Sequence, residues 1–284
     1  MKKLLVIGAV ALFMFSCKKD QEKGDLVNDG KKVPVTFTTG LEVIDKEYKA
    51  GVSDVSVIAQ NTNYLYYILF DKQGNFIKQK TYVKDDPDFG QVKDTLVVGE
   101  YISHFFASKL PLTLNISNLS GSHIVFSEND IFTFGGEFFT GNNYYKQGLL
   151  MKRIISKLTL VVTDTVPQNA SYMRITRNAA KSYYFDGSTP VLPGNLISQT
   201  IRIDSLSGKK LPPVTMTTIE KNVPLTVSIS VYDVNDKLIV ERYADFTPVP
   251  NKETVVTGKL FSIGAYWELL INDEWDSAKD IIKL

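Results

Sequence analysis

The chain has few of the residues from which reactive sites are usually built. Its 284 residues include one cysteine, two histidines and two tryptophans. A single thiol excludes a disulfide framework, and two histidines cannot furnish a His-rich metal site. Neither sign of charge is in excess: 32 Lys and Arg against 31 Asp and Glu leave a formal net charge of +1. Near-neutrality removes the long-range electrostatic reason to expect nucleic acid as a partner. No apolar run reaches the ~20 residues that a membrane-spanning helix requires. Catalytic signatures are missing too: there is no His-Glu-x-x-His, Gly-x-Ser-x-Gly, Walker loop or dinucleotide fingerprint. A carboxylate pair for glycoside hydrolysis would meet in space rather than in sequence, and nothing along the chain points to one. The expectation is a protein with no enzymatic activity, no cofactor and no metal.

What is present is an exported, strand-forming chain. Lys2 and Lys3 precede the uncharged, mostly apolar run Leu4 to Phe15, then Ser16, Cys17 and the polar stretch Lys18 to Glu22. The run has the length of a secretory h-region, and Cys17 stands where a lipoprotein signal peptidase cuts and a diacylglycerol is attached. Residues 1–17 therefore read as a lipoprotein signal with lipidated Cys17, and 18–32, with Gly24 and Gly30, as a flexible tether. The competing reading is an ordinary cleavable signal or an uncleaved anchor, with Cys17 incidental. Lipidation at Cys17 would leave no free thiol for catalysis or metal binding. Removing the leader leaves about 265 residues, as a prior one large domain or two of ordinary size.

With 14 Tyr, 16 Phe and 44% apolar residues overall, the remainder has a strand-forming composition and enough material for a core. Val33, Val35 and Phe37 alternate with Thr36 and Thr38. Leu225, Val227, Ile229 and Val231 alternate with Thr226, Ser228 and Ser230. Strict period two with one apolar face predicts half-buried antiparallel strands. No long, well-capped helical pattern occurs, although the final stretch from Ser277 to Leu284 allows a turn or two of helix. Short strands separated by Gly, Asn, Asp and Pro predict β-sandwiches.

The chain also echoes itself. Tyr64 to Ile77 and Thr226 to Ile239 each read as an apolar strand, an Asp-led turn and a second strand. Asp71 and Asp233 lie 162 apart (233 − 71), as do Ile77 and Ile239. Gly99 and Gly258, in similar Val-x-Gly contexts, lie 159 apart (258 − 99). Two features in one order at nearly one lag predict two domains of one fold. The division is expected near 148, giving residues 33–148 and 149–284, with a long strand from Leu149 to Thr163 opening the second.

Each candidate for chemistry has a plainer reading beside it. His104 lies in a predicted strand, and His104 and His123 both read as strand or loop histidines. The acidic turn Asp85 to Asp88 lacks calcium-loop spacing and reads as a solvated turn, as does Asp233 to Asp236 in its hairpin. Trp267 and Trp275 flank the last strand, where a large ring fills the end of a core more often than it stacks on a sugar. Gly135 to Gly141 reads as a loop or linker rather than a phosphate cradle, since no helix start follows it.

Together these features resemble a family. The leader resembles Bacteroidota lipoprotein signals, whose loose lipoboxes tolerate Met14 and Phe15, and Lys18 to Glu22 resembles their surface-export signal. Leu65 to Gly74 followed by Val97 to Tyr101, Leu150 to Leu160, and the closing Asn272 to Trp275 are similar to segments of the fimbrillin superfamily, the major, anchor and tip subunits of Bacteroidales fimbriae. The resemblance implies an all-β chain of two tandem transthyretin-like Greek-key β-sandwich domains without enzymatic activity. It also implies partners: other fimbrial subunits joined through strand exchange, the outer membrane held through the lipid, and a host protein or glycan. In family stalk subunits a protease removes the lipidated N-terminus with the first strand, commonly after an Arg, and a neighbour's strand fills the groove. This chain has no Arg before Arg153. Lys46 or Lys49 would need a protease of other specificity, so an anchor-like or accessory subunit that keeps its lipid is favoured over a stalk subunit.

A second reading is a glycan-binding outer-membrane lipoprotein of a polysaccharide-uptake system, against which the low Trp count weighs. A third is a lipoprotein sharing only the fold. Asp94-Thr95-Leu96, Asp164-Thr165-Val166, Asp204-Ser205-Leu206 and Asp276-Ser277-Ala278 resemble the Asp-Ser/Thr-aliphatic sites at which Bacteroidota O-glycosylate exported proteins, which fits a cell-surface location.

Overall fold

The computed structural model describes residues 30–42, 55–190, 196–219, 223–262, 267–272 and 280–282, with residues 55–56 and the last two segments as backbone only. The leader, Cys17, the tether up to residue 29, Lys46, Lys49, Trp275 and the side chain of Trp267 lie outside the described residues. The first half of the chain forms β1 (Lys32–Leu41), the helix α1 (Val55–Asn61), β2 (Tyr64–Asp71), β3 (Phe76–Val83), β4 (Gln91–Val97), β5 (Gly99–Ser108), β6 (Thr113–Asn115), β7 (His123–Val125), β8 (Ile131–Thr140) and β9 (Tyr145–Arg153). The second half forms β10 (Ser156–Val162), β11 (Tyr172–Asn178), β12 (Ser182–Tyr184), β13 (Leu196–Arg202), a 3-10 turn at Asp204–Leu206, β14 (Val214–Thr218), β15 (Leu225–Tyr232), β16 (Leu238–Phe246), β17 (Glu253–Gly258), β18 (Trp267–Asn272) and β19 (Asp280–Ile282). The architecture is all-β, as the composition predicts.

In the first half, β3-β2-β5-β8 form one layer and β4-β1-β9 the other, joined into a single curled sheet where Phe132 and Thr133 of β8 meet Arg153 and Lys152 of β9. Phe37, Tyr67, Phe105, Phe132 and Met151 fill the space between the layers. β2 does not alternate because it is buried on both faces. Leu65, Tyr67 and Leu69 enter that core, while Tyr66, Ile68 and Phe70 pack into a second cluster with Phe106, Ile124 and Phe185. A strand covered on both faces reads as a continuous apolar run.

The second half repeats the connectivity. β13-β11-β15-β16 face β14-β10-β17, the latter extended by β18 and β19. β1 lies between antiparallel β4 and parallel β9, and β10 lies between antiparallel β14 and parallel β17. The order of the facing layers matches as well, so β2 corresponds to β11 and β5 to β15. This differs from the pairing read from sequence. Tyr64 to Ile77 spans β2–β3, whereas Thr226 to Ile239 runs from β15 into β16, a different hairpin of the repeated unit. Gly99 opens β5, but Gly258 ends β17. The residue-level echo comes from shared hairpin chemistry: Asp71 and Asp233 each accept backbone N–H groups of their own turns.

Other expectations differ from the observed strands. The long strand from Leu149 to Thr163 is two strands in different sheets, broken at Ile154 and Ile155, which are buried in the second cluster. Residue 148 itself lies in β9, which pairs with β1 and β8. Gly135 and Gly136 lie inside β8 rather than in a loop, and residues 280–282 form β19 rather than helix. The halves are joined closely: β12 of the second pairs with β7 of the first, and β6 completes that small sheet. Arg153 forms a clamp across the joint. It donates two bonds to the Asp130 carboxylate at 2.8 and 3.1 Å and one to Asn251 at 2.8 Å, with its guanidinium 4.9 Å from the Phe132 ring centre.

Candidate functional site

The feature most unlike an ordinary sandwich strand is β1. It is the N-terminal described element, yet it is the middle strand of its layer, hydrogen-bonded along both edges. Lys32 to Thr38 pair with Val97 to Gln91 of β4, and Val35 to Leu41 pair in parallel with Tyr145 to Met151 of β9. Its alternation buries Val33, Val35 and Phe37, and Leu41 follows at its end. Each such side chain contributes about 1.5–3 kcal/mol of burial. The Phe37 ring has four aromatic neighbours: Phe105 and Phe138 at 5.1 Å, Tyr67 at 5.8 Å and Tyr145 at 6.0 Å. Withdrawing β1 would leave a slot walled by the unpaired edges of β4 and β9. A strand that took the place of β1 in the same direction would run parallel to β9 and antiparallel to β4, with apolar groups at alternate positions. The sequence marks β1 as a half-buried strand but gives no sign of its central place, because strand order is set by pairing across the fold.

The other residues singled out from sequence have structural roles. His104 is 7% exposed in β5, stacks on Phe185 at 5.0 Å and stands edge-on to Phe70. Burial lowers its pKa from 6.5 to about 4, so the ring is neutral near pH 7. Its neighbour explains Gly135, where a Cβ would stand 2.6 Å from the imidazole Cε1. His123 is held by Asn115 at 3.0 Å and the Gly121 carbonyl at 3.1 Å. In the acidic turn, Asp86 accepts the Val83 N–H and Asp88 pairs with Lys93. Asp94 accepts bonds from the Tyr67 hydroxyl and from Lys78, and burial followed by the Asp94 charge raises the Tyr67 pKa. Among the described residues, no group of three His, Cys, Asp or Glu could hold a metal ion.

Of the Asp-Ser/Thr-aliphatic sites, Thr95, Thr165 and Ser205 are exposed, and the fourth, at Ser277, lies outside the described residues. The Asp164 carboxylate accepts the backbone N–H groups of Leu260, Phe261 and Ser262 at 2.8–2.9 Å. Burial works against its ionisation, but these bonds outweigh it and lower its pKa. A cleft of about 430 Å³ between the halves is lined by Phe134, Gly135, Lys152, Tyr183, Ile219 and Pro250 among others, without a nucleophile–base pair.

No family model and no curated protein matches the sequence. Comparison of the fold with solved structures does find relatives. A candidate polysaccharide-binding protein from Bacteroides thetaiotaomicron superposes with a TM-score of 0.58 at 10% identity, covering 88% of this chain and 98% of that one. This chain has their fold. A candidate adhesin from Bacteroides ovatus gives 0.55 at 8% identity, over 89% and 96% of the two chains. The fimbrial anchor protein Mfa2 from Porphyromonas gingivalis gives 0.54 at 11% identity, over 85% and 98%. At such identities the likeness speaks to architecture, and nearly the whole of each relative is matched.

Proposed function

We propose that the chain is a non-enzymatic fimbrial subunit of the fimbrillin superfamily, anchor-like or accessory, held on the outer membrane at the cell surface by a lipid on Cys17. In this reading it consists of two tandem transthyretin-like Greek-key sandwiches that divide where β9 gives way to β10. It joins other subunits by β-strand addition and supports adhesion. The shared fold of a fimbrial anchor protein and a candidate adhesin supports the fimbrial part. The observation that carries the anchor-like part is the seating of β1. Both its edges are paired and its Phe37 is fully buried in an aromatic cage, so a chain that keeps its N-terminus keeps a complete first sandwich. Arg153, the first arginine, has a 9% exposed side chain clamped to Asp130, and offers little to an Arg-directed protease.

The test is made in native cells. Fimbriae are sheared and purified, and both fimbriae and outer membranes are probed for the chain after labelling with an alkyne fatty acid. The reading expects label on wild type, none on Cys17→Ala, and the protein co-purifying with fimbrial subunits. Equal label on Cys17→Ala, or no association with fimbriae, would sink it. A glycan-binding lipoprotein is the second reading, favoured by the outward tyrosines of β11, β15 and β16, half-buried Tyr172 and Tyr232 and exposed Tyr243, described next.

A further inference from the structure

The layer β13-β11-β15-β16 turns one face to its core and the other to solvent, and the outward side chains fall into cross-strand rows. One row is Arg202, Tyr172 and Tyr232; the next is Thr200, Arg174, Ser230 and Glu241; the third is Ser198, Thr176, Ser228 and Tyr243. The Tyr172 and Tyr232 rings stack with centres 4.9 Å apart and 16° between planes. The Arg174 guanidinium is held against both, 5.8 Å from Tyr172 and 5.4 Å from Tyr232, and that of Arg202 lies 5.9 Å from Tyr172.

These cations lack the partner their surroundings offer. Glu241 shares the row of Arg174, yet its carboxylate accepts bonds from Tyr243 at 2.7 Å, Ser230 at 2.8 Å and Ser228 at 3.2 Å. Arg202 makes one 3.4 Å bond to Ser171. Among the described residues neither arginine is in an ion pair. Two guanidinium groups are thus positioned by aromatic rings with most of their N–H donors unspent, the arrangement that takes a planar carboxylate in a forked pair of bonds.

We propose that this outward face binds a carboxylate-bearing glycan, with Arg174 and Arg202 taking the carboxylates and Tyr243 and the hydroxyl rows contacting the sugar rings. The proposal deepens the adhesion reading and rests on the chain being displayed at the cell surface. A saccharide suits the face better than a flat protein partner. Neighbouring strands lie about 4.8 Å apart, close to the length of one pyranose ring, so a chain lying across the strands meets one row position per sugar. Tyr243 is 61% exposed and offers a ring for stacking; Thr200, and the lone pairs left on Thr176 and Ser198 (bonded to each other at 2.9 Å) and on Ser228 (donating to Glu241), match the hydrogen-bonding character of sugar hydroxyls. A second copy packed about a two-fold axis would need the acidic side to receive arginine. Glu241 is occupied by three hydroxyls, and Asp245 by Thr226 at 2.6 Å.

The test is calorimetric titration of the full chain in detergent with hexagalacturonate, a hyaluronan hexasaccharide, and the carboxyl-reduced form of the first. The proposal expects at least one acidic hexasaccharide to bind. For hexagalacturonate, carboxyl reduction should weaken binding tenfold or more. Arg174→Ala should weaken binding of whichever acid binds by at least as much, Tyr243→Ala should weaken it less, and Lys146→Ala in the first half should leave it unchanged. Arg174 is exposed, so its loss leaves folding intact, which circular dichroism verifies. Binding of neither acid, binding indifferent to carboxyl reduction or to Arg174→Ala, or a sugar-free dimer that Arg174→Ala dissolves would each overturn it. The adhesion reading is tested separately: Arg174→Ala should still co-purify with fimbriae, and failure of wild type to do so would condemn that reading whatever the titration shows.

Discussion

Replacing Phe37 by Ala tests whether β1 belongs to the first core or merely lies against it. The ring is fully buried with four aromatic neighbours within 6.0 Å. Truncating a buried Phe costs about 3–5 kcal/mol, through lost transfer energy and the cavity left behind. The upper half of that range is expected here, because each edge-on aromatic pair adds about 0.5–1.5 kcal/mol beyond area burial. Single domains are stable by only about 5–15 kcal/mol, so the substitution removes a large part of the first unit's margin. The assay is urea unfolding of the full chain in detergent, followed by far-UV circular dichroism and tyrosine fluorescence. With a slope of about 1–3 kcal/mol per molar urea, the first transition should move down by more than about 1 M. Phe76→Ala, at a ring 44% exposed in β3, is the control and should cost less than about 1 kcal/mol. If Phe37→Ala costs no more than Phe76→Ala, β1 is an adherent strand, and the reasoning about a retained first strand fails.

Three other outcomes follow from the same packing. His104 titrates near 4 when folded and near 6.5 when unfolded, so between these values the unfolded chain binds more protons, and stability falls as pH drops. The full effect is about 3 kcal/mol, and His104→Phe should abolish that slope in unfolding curves taken from pH 7 to pH 4. Gly135→Ala drives a Cβ into the His104 ring, which Phe185 backs, and overpacking of this kind costs about 1–3 kcal/mol; the double variant with His104→Ala should recover part of the loss. Asp164→Ala strands three N–H donors at 260–262, a cost of about 1–3 kcal/mol. Because the folded pKa of Asp164 is lowered, its contribution is present above the ordinary Asp range and disappears as pH falls through the folded value, which acid unfolding of wild type against Asp164→Asn would register.

Much of the architecture was legible from alternation. Leu225 to Val231 buries its apolar set as period two requires, and the all-β character follows from composition and turn spacing. What escaped the sequence depends on tertiary pairing. The continuous apolar run of β2 signals double burial, but not which elements cover each face. Gly135 and Gly136 resemble a loop until the His104 ring is seen beside the first of them. Ile154 and Ile155 continue an apolar run while the chain crosses from one unit to the other, because both side chains are buried there. The echo between Asp71 and Asp233 reports turn chemistry common to hairpins, so it paired strands that are not equivalent. Tyr172, Arg174, Arg202 and Tyr232 are scattered over sixty positions and meet only because β13, β11 and β15 are neighbours.

The central claim is that the chain keeps its lipid and, with it, β1. The most direct measurement is the N-terminus of the protein isolated from native cells, read by mass spectrometry of the terminal peptide. A diacylglycerol-modified Cys17 continuous through Leu41 is expected. A mature terminus beyond Leu41, with β1 gone and its place between β4 and β9 taken by another chain's strand, would contradict it.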